Sequence, residues 1–330
     1  MLTLGIETSC DDTSIALLED ETDLRANVVS SQIEHAEYGG VVPELASRAH
    51  VSNVLPVFEH ALDQAGARPA DIDLIGVTHA PGLAGALLVG GAFAQGLSLA
   101  LDRPIVPVHH LEAHMVAILL EHPVVRLPAV ALIVSGGHTL LVHVRGWRRY
   151  EVLGRTRDDA AGEAFDKVGK LLGLGFPGGP AIEREARSGD PRAIDFPRPM
   201  LDSGDRDFSF SGLKTSVLQW VGEREPAEVA ARRPDVCASF QAAVVEVLVE
   251  KTARAAETLE VPSVILAGGV ACNGPLREAL RARLADCEVV WPSPILCTDN
   301  GAMIARTAVL RADEAVRPGE FDVHASLPLP

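Results

Sequence analysis

Two stretches of this chain read alike. Leu4-Gly-Ile-Glu-Thr-Ser near the start and Leu132-Ile-Val-Ser-Gly-Gly further on each carry an apolar strand into a turn of small polar residues. In the first, strands over Leu2 to Glu7 and Ser14 to Leu18 flank an acidic turn, Thr8 to Thr13. In the second, Ala129 to Val134 and Leu140 to Val144 flank the turn Ser135 to Thr139. A repeated strand–turn–strand opening implies one α/β unit built twice. The length of 330 residues agrees, because a single compact core rarely grows so large.

Periodicity and chain breakers place the other elements. A helix over Pro43 to Ala65 offers Leu45, Val51, Leu55, Phe58 and Leu62 as its apolar face, and Asp73 to Thr78 reads as a buried strand. Pro81 then opens a glycine-rich helix, and the strand Ile105 to Val108 feeds a helix from about His110 to Leu120. The second half continues with a helix near Glu163 to Leu172, a polar loop from Ser188 to Asp207, and a long helix near Val236 to Leu259. It closes with strand Ser263 to Ala267, helix Pro275 to Leu284, strand Glu288 to Trp291 and a helix after Asp299. The expected division is 1–128 and 129–299, with an insertion near 188–235 and the C-terminal helix, about 300–325, returning to the first unit.

Composition narrows the function classes. Hydrophobic residues make up 47% and charged residues 22%, which suits a globular chain with a sizeable core. A net charge of −16 repels the phosphate backbone overall, so a nucleic-acid substrate needs a local basic strip or a partner protein. Arg145, Arg148, Arg149, Arg155 and Arg157 form the densest such strip, which reads equally well as a solvated strand edge. Five scattered cysteines without a CxxC argue against a disulfide framework or a zinc ribbon and favour a reducing, cytoplasmic setting. The apolar stretch Gly82 to Leu101 is about long enough to span a bilayer. Its glycines, Gln95 and Ser98 favour instead a buried helix that needs close backbone approach, with no membrane partner.

Several short motifs carry candidate chemistry. The turn Ser135-Gly136-Gly137-His138-Thr139 leaves backbone amides open to an anion, or is a plain hairpin turn. Gly268-Gly269-Val270-Ala271-Cys272-Asn273 lies beyond a buried strand, where ligands of α/β folds bind, and Asn273 reads as a ribose or base contact or as a helix N-cap. Phe176 to Pro180 is a second glycine loop, and Asp166 before it pairs with Lys170 at i+4 or serves a site. His110 and His114 stand at i and i+4 on one helical face, which offers two imidazoles to one ion. A protease of the His-Glu-x-x-His type needs its glutamate beside the first histidine; Glu112 sits one place later and points away. Asp299 supplies a candidate third ligand, a role compatible with capping the next helix.

Read in order, these pieces resemble one family. They are Gly5-Ile6-Glu7-Thr8-Ser9-Cys10-Asp11-Asp12, Glu44-Leu45-Ala46-Ser47-Arg48, His109 to His114, Ser135 to Thr139, Gly162-Glu163-Ala164-Phe165-Asp166-Lys167, Ser209 to Thr215, Gly268 to Asn273 and Thr298 to Ala302. The family is the bacterial-type tRNA N6-adenosine threonylcarbamoyltransferases, once labelled sialoglycoprotein endopeptidases. The likeness runs from about residue 3 to 310 and loosens at Cys272 and Gly274.

The resemblance implies a fold of the actin, sugar-kinase and heat-shock ATPase superfamily: two similar ribonuclease H-like subdomains with a nucleotide- and metal-binding cleft between them. It implies transfer of threonylcarbamoyl from threonylcarbamoyl-adenylate to the N6 amine of the tRNA adenosine beside the anticodon, with release of AMP. By matching positions, His110, His114 and Asp299 would hold one divalent metal ion per chain, Fe(2+), with Zn(2+) and Mg(2+) as alternatives. Ile133, Val134, Ser135, Gly136, Gly137, Asp166, Gly179, Glu183 and Asn273 would contact the adenylate, or ATP in its place. Asp11, at the first hairpin tip, is a candidate for steering the amine. Expected partners are tRNA, a shorter related subunit and an ATPase subunit. The competing readings are a small-molecule kinase or ATPase of the same superfamily, with a catalytic aspartate and magnesium, and a non-enzymatic tRNA-binding subunit.

Overall fold

The computed structural model describes residues 1–32 and 40–330. They form two compact units, Met1–Val125 with Pro292–Pro330, and Arg126–Trp291. The first begins with β1 (Leu2–Glu7), β2 (Asp12–Glu19) and β3 (Asp23–Ser31), then α1 (Pro43–Ala65), β4 (Leu74–Ala80), α2 (Ala84–Leu101), β5 (Ile105–His109) and α3 (His110–Val116), which tightens into a 3-10 turn at Ala117–Leu120. The sheet order is β3-β2-β1-β4-β5. β1 to β3 form an antiparallel meander, while β4 and β5 run parallel to β1. Leu4, Ile6, Ile75 and Val77 are fully buried, as parallel strands covered by helices require.

The second unit repeats that plan. It comprises β6 (Ala129–Val134), β7 (Thr139–Gly146), β8 (Arg149–Arg155), α4 (Ala161–Leu171), α5 (Gly178–Ala186), α6 (Ser211–Gly222), α7 (Pro226–Leu259), β9 (Ser263–Ala267), α8 (Gly274–Arg283) and β10 (Glu288–Val290). Its sheet reads β8-β7-β6-β9-β10, again an antiparallel meander followed by two strands parallel to its first. The duplication expected from the two openings is therefore present as topology. The chain then adds α9 (Pro294–Cys297) and α10 (Gly301–Leu310) to the first unit. That unit resumes at Pro292, so Asp299, which the sequence reading assigns to the second half, belongs with the histidines.

Several elements differ from expectation for identifiable reasons. β3 and β8 are edge strands whose polar, half-exposed residues give no clean alternation, and both go unrecognised in the sequence. The long helix starts ten residues earlier, at Pro226, because Pro there suits the first turn, and it carries Pro234 inside. α2 starts at Ala84 instead of Pro81; the Pro81–Gly82 bend lets the Leu83 amide reach the Ser9 carbonyl at 2.8 Å. On α1 the buried stripe is Ala46, His50, Val54, Val57, Phe58, Ala61 and Leu62. Leu45, Val51 and Leu55 lie on the other side, 37%, 65% and 51% exposed.

α2 is long and apolar enough to cross a membrane, with a mean hydropathy of 1.6, and only a third of it is buried. The buried-helix expectation therefore holds for one face. Ala86, Leu87, Gly90, Gly91 and Ala94 face the unit, while Leu88 and Leu99 face outward.

Close contact between β1 and α10 places Asp299. A Cβ on Gly5 would stand 2.1 Å from the Gly301 carbonyl oxygen and 2.5 Å from the Ala305 amide nitrogen. The Gly301 amide donates to Ser14 Oγ at 2.8 Å, which fixes the helix start on β2 as well. We expect Gly5→Ala to destabilise the chain by about 1–3 kcal/mol, the usual range for overpacking a close-packed core. Chemical denaturation with an unchanged m-value would check it.

Candidate metal and nucleotide sites

In the first unit, α3 begins directly at the end of β5, so His110 is its first residue and His114 follows one turn later on the same face. Asp299 occupies the bend before α10. Its neighbour Asn300, not Asp299, caps that helix, accepting from the Met303 amide at 3.0 Å. Asp299 Oδ1 lies 3.1 Å from His114 Nε2 and 3.6 Å from His110 Nε2. One donor atom from each of the three residues falls within 4.8 Å of the others. The two imidazoles meet edge to face, with centroids 4.6 Å apart.

Glu7, absent from the sequence-derived candidates, completes the arrangement. It ends β1 fully buried, and its Oε2 lies 3.0 Å from His110 Nδ1 and accepts from Thr78 Oγ1 at 2.6 Å. Its other oxygen accepts from the Ser9 amide, and Ser9 Oγ stands 3.2 Å from the same His110 nitrogen. Glu7 therefore turns His110 so that Nε2 faces Asp299. Among the described residues His114 Nδ1 is buried without a hydrogen-bond partner, so none of them fixes its tautomer in the same way.

The electrostatics call for a cation. Burial pushes the His110 imidazole down, but the Asp299 and Glu7 carboxylates outweigh it and hold the group at about 9. Burial pushes Glu7 up, and the His110 charge and hydrogen bond pull it below its ordinary value. A proton on His110 thus neutralises buried acids that a metal ion would otherwise serve. Two imidazole nitrogens and one carboxylate, with an outer carboxylate on one histidine, fit a divalent metal with open positions, and this donor set suits Fe(II). Asp11 sits half-buried at the β1–β2 turn, where its charge, with that of Asp299, acts on Cys10 and Asp12. Burial, reinforced by those acids, raises the Cys10 thiol far above its usual range and Asp12 to about 6.

In the second unit the β6–β7 connection is a tight hairpin. The Ser135 amide donates to the His138 carbonyl at 2.8 Å, and the His138 amide donates to Ser135 Oγ at 3.1 Å. Gly136 and Gly137 stand exposed at its tip with open space where a Cβ would be. Ile133 and Val134 are buried in β6, where both pair with β7 and Ile133 also pairs with β9. Gly268 approaches this strand with φ +89°, and a Cβ there would stand 2.4 Å from the Val134 carbonyl oxygen. That backbone conformation and that clearance both require glycine.

Asp166 accepts from the Gly178 amide at 2.7 Å, closing the Phe176–Pro180 loop onto α4. One turn beyond Gly179, Glu183 receives the Asn273 side-chain amide at 3.3 Å and the Gly274 backbone amide at 3.4 Å. Asn273 also donates to Gln241 Oε1 at 2.8 Å, while its oxygen caps α8 through the Leu276 amide at 3.0 Å. Of the two readings offered for Asn273, the structure shows the helix N-cap. Gln241, on α7, also goes unselected in the sequence, since a glutamine in a long helix gives no signal of its own. Glu7 does give one: a carboxylate on an otherwise apolar strand must find a partner.

Two of the five arginines of the strip are held in ion pairs. Arg145 pairs with Glu151, and Arg157 with Asp205 and Asp207 at 2.7 and 2.9 Å, on the edge strand β8 and its neighbours. The solvated-edge reading describes these residues.

Comparison with known proteins places the chain. The profile of tRNA N6-adenosine threonylcarbamoyltransferase matches residues 23–306. A protein of that name from Thermomicrobium roseum is 51% identical, covering 100% of this chain and 97% of the relative. Another from Geobacter sp. strain M21 is 54% identical over 92% of this chain and 90% of its own length. Among solved structures, the activator of 2-hydroxyisocaproyl-CoA dehydratase from Clostridium difficile, with bound ADPNP, aligns with a TM-score of 0.57 at 14% identity, covering 95% of this chain and 96% of that one. HypF of T. kodakarensis aligns at 0.60 and 15%, covering 95% of this chain and 48% of its own. These likenesses show the fold, which is actin-like with two similar α/β subdomains. The chain is a transferase that belongs to the tRNA N6-adenosine threonylcarbamoyltransferase family.

Proposed function

We propose that this chain transfers the threonylcarbamoyl group from threonylcarbamoyl-adenylate to the N6 amine of the adenosine beside a tRNA anticodon, in the cytoplasm and with one Fe(II) per chain. The observation that carries this reading is the convergence of His110, His114 and Asp299, with Glu7 behind His110. A sugar kinase or simple ATPase on this fold has no use for two buried imidazoles sharing a carboxylate.

The reaction asks little covalent work of the chain. The adenosine amine attacks the carbamoyl carbon, the bond from that carbon to the phosphate oxygen breaks, and AMP leaves with the electron pair while the amine loses a proton. The mixed anhydride is already activated, so positioning and stabilisation of developing charge suffice. That frees Cys10 and the other cysteines from a nucleophile's role. A divalent ion held by His110, His114 and Asp299 would supply Lewis-acid polarisation of a substrate oxygen. Glu7 would keep His110 oriented, and Asp11 would steer the incoming amine. In the second unit the Gly136 and Gly137 amides and Gly179 would meet the phosphate, with Ser135 closing the turn that presents them, while Glu183 and Asn273 would hold the ribose and base, with Asp166 bracing the glycine loop between them.

Partner subunits belong to the same proposal. Leu45, Val51 and Leu55 on α1 and Leu88 and Leu99 on α2 form exposed apolar surface that a shorter related subunit would cover. With an ATPase subunit, such a partner would bring tRNA to a chain whose net charge is −16 and in whose arginine strip Arg145 and Arg157 are already paired.

Two outcomes test the reading. His110→Ala or His114→Ala should purify without bound iron and lose transfer in a reconstituted assay, while Glu7→Gln should weaken iron binding about 10–100-fold, as loss of an outer carboxylate does. Full transfer by an iron-free chain would sink the metal assignment. Glu183→Gln should raise the Kd for AMP about ten-fold, the cost of one poorly replaced buried hydrogen bond, and leave iron content at the wild-type level. Calorimetric titration reads the first and elemental analysis the second.

A further inference from the structure

Glu112 lies between the two histidines of α3 yet takes no part in the donor cluster. Its carboxylate is fully buried on the opposite side of the helix, where Oε2 accepts from Arg311 Nε at 2.7 Å. Arg311 is itself buried, caps the C-terminal end of α10 and holds Glu314 with its other arm at 2.7 Å. We propose that the Glu112–Arg311 ion pair is a positioning device for the metal centre: it sets the register of α3, which carries both imidazoles, against α10, whose start carries Asp299. The inference rests on the metal reading above.

The packing between these helices explains the need. Their shared core is made by Ala113 of α3 and Ala117 of the 3-10 turn after it against Met303, Ile304 and Ala308 of α10, with Val106, Val108 and Leu74 beneath. Small alanine surfaces fix how closely two helices approach but resist sliding and rotation weakly, because few side chains interlock. Asp299 meets His114 at one end of α10, and Arg311 meets Glu112 at the other. Two attachment points separated by the length of a helix fix its rotation and its slide together. The charges also suit the helix ends, an acid in the first turn of α3 and a cation at the C-cap of α10. A buried pair is a poor source of net stability compared with apolar residues of similar volume, and setting register is its best-attested use.

The test separates position from stability. Metal-free parent chain, Glu112→Leu/Arg311→Met and Arg311→Lys are each titrated with cobalt(II), following the visible absorption of the bound ion, and each is unfolded thermally without metal. The apolar double variant should unfold near the parent's midpoint, bind cobalt(II) about ten-fold or more weakly, and show a changed absorption band. Parental affinity and spectrum in a folded double variant would overturn the proposal. If the double variant does not fold, Arg311→Lys decides, since it keeps the charge and loses the fixed fork: weakened cobalt(II) binding supports positioning, and unchanged binding overturns it. A parent chain that binds no cobalt(II) overturns the metal reading and this inference with it, whereas a parent that binds and variants that bind equally overturn this inference alone.

Discussion

A carboxylate buried at the end of a strand must be answered by positive charge or by hydrogen-bond donors. Glu7 is answered by both, from Ser9, Thr78 and His110, and each comes from a different element. β1 supplies Glu7, the turn after it supplies Ser9, β4 supplies Thr78 and α3 supplies His110. The first sheet, with β1 flanked by β2 and β4, is the frame that makes these meetings possible. Satisfying one acid therefore orients one imidazole, and the orientation leaves that ring's other nitrogen toward Asp299.

The two units show how one plan takes two chemistries. Both place the end of the meander's first strand beside a short polar turn, and both run their later strands parallel to it. In the first unit that strand end is Glu7, and the neighbouring side chains are charged or titratable. In the second it is Val134, followed by Ser135 and two glycines, and Gly268 comes so close that no side chain fits between them. The same geometry thus presents buried side-chain donors in one copy and bare backbone in the other. Metal ions prefer the first kind of surface and phosphates the second.

Much of this was legible in residues taken one at a time. The strands β1, β6 and β9 and the helix α1 follow from apolar runs and breakers, and their bounds agree with the structure. The edge strands β3 and β8 escaped because a strand with one partner and one wet face carries charges that resemble loop composition. α1 shows a subtler failure: its existence was clear, but its buried stripe runs through Ala46, His50 and Ala61, while bulkier Leu45, Val51 and Leu55 face outward. Apolar size is a poor guide to the inner face when a second apolar surface waits for a partner. At the site, the i and i+4 spacing made the histidines visible. Asp299, 185 residues beyond His114, stands out in the sequence only by its motif and the family resemblance, and the fold supplies the distance that joins it to the histidines.

Glu112 closes the argument about what a motif residue is for. Candidate ligands stand two places to either side of it, which makes a third chemical role the natural guess. A helix has two sides, however, and a residue two places from a ligand must point elsewhere. The side it faces is the one on which α3 must be held, and Arg311 holds it there. Residues of one short segment thus divide the labour: His110 and His114 face the donor cluster, and Glu112 faces the helix that brings its carboxylate. Reading such a segment as a single string of catalytic residues would merge two separate demands.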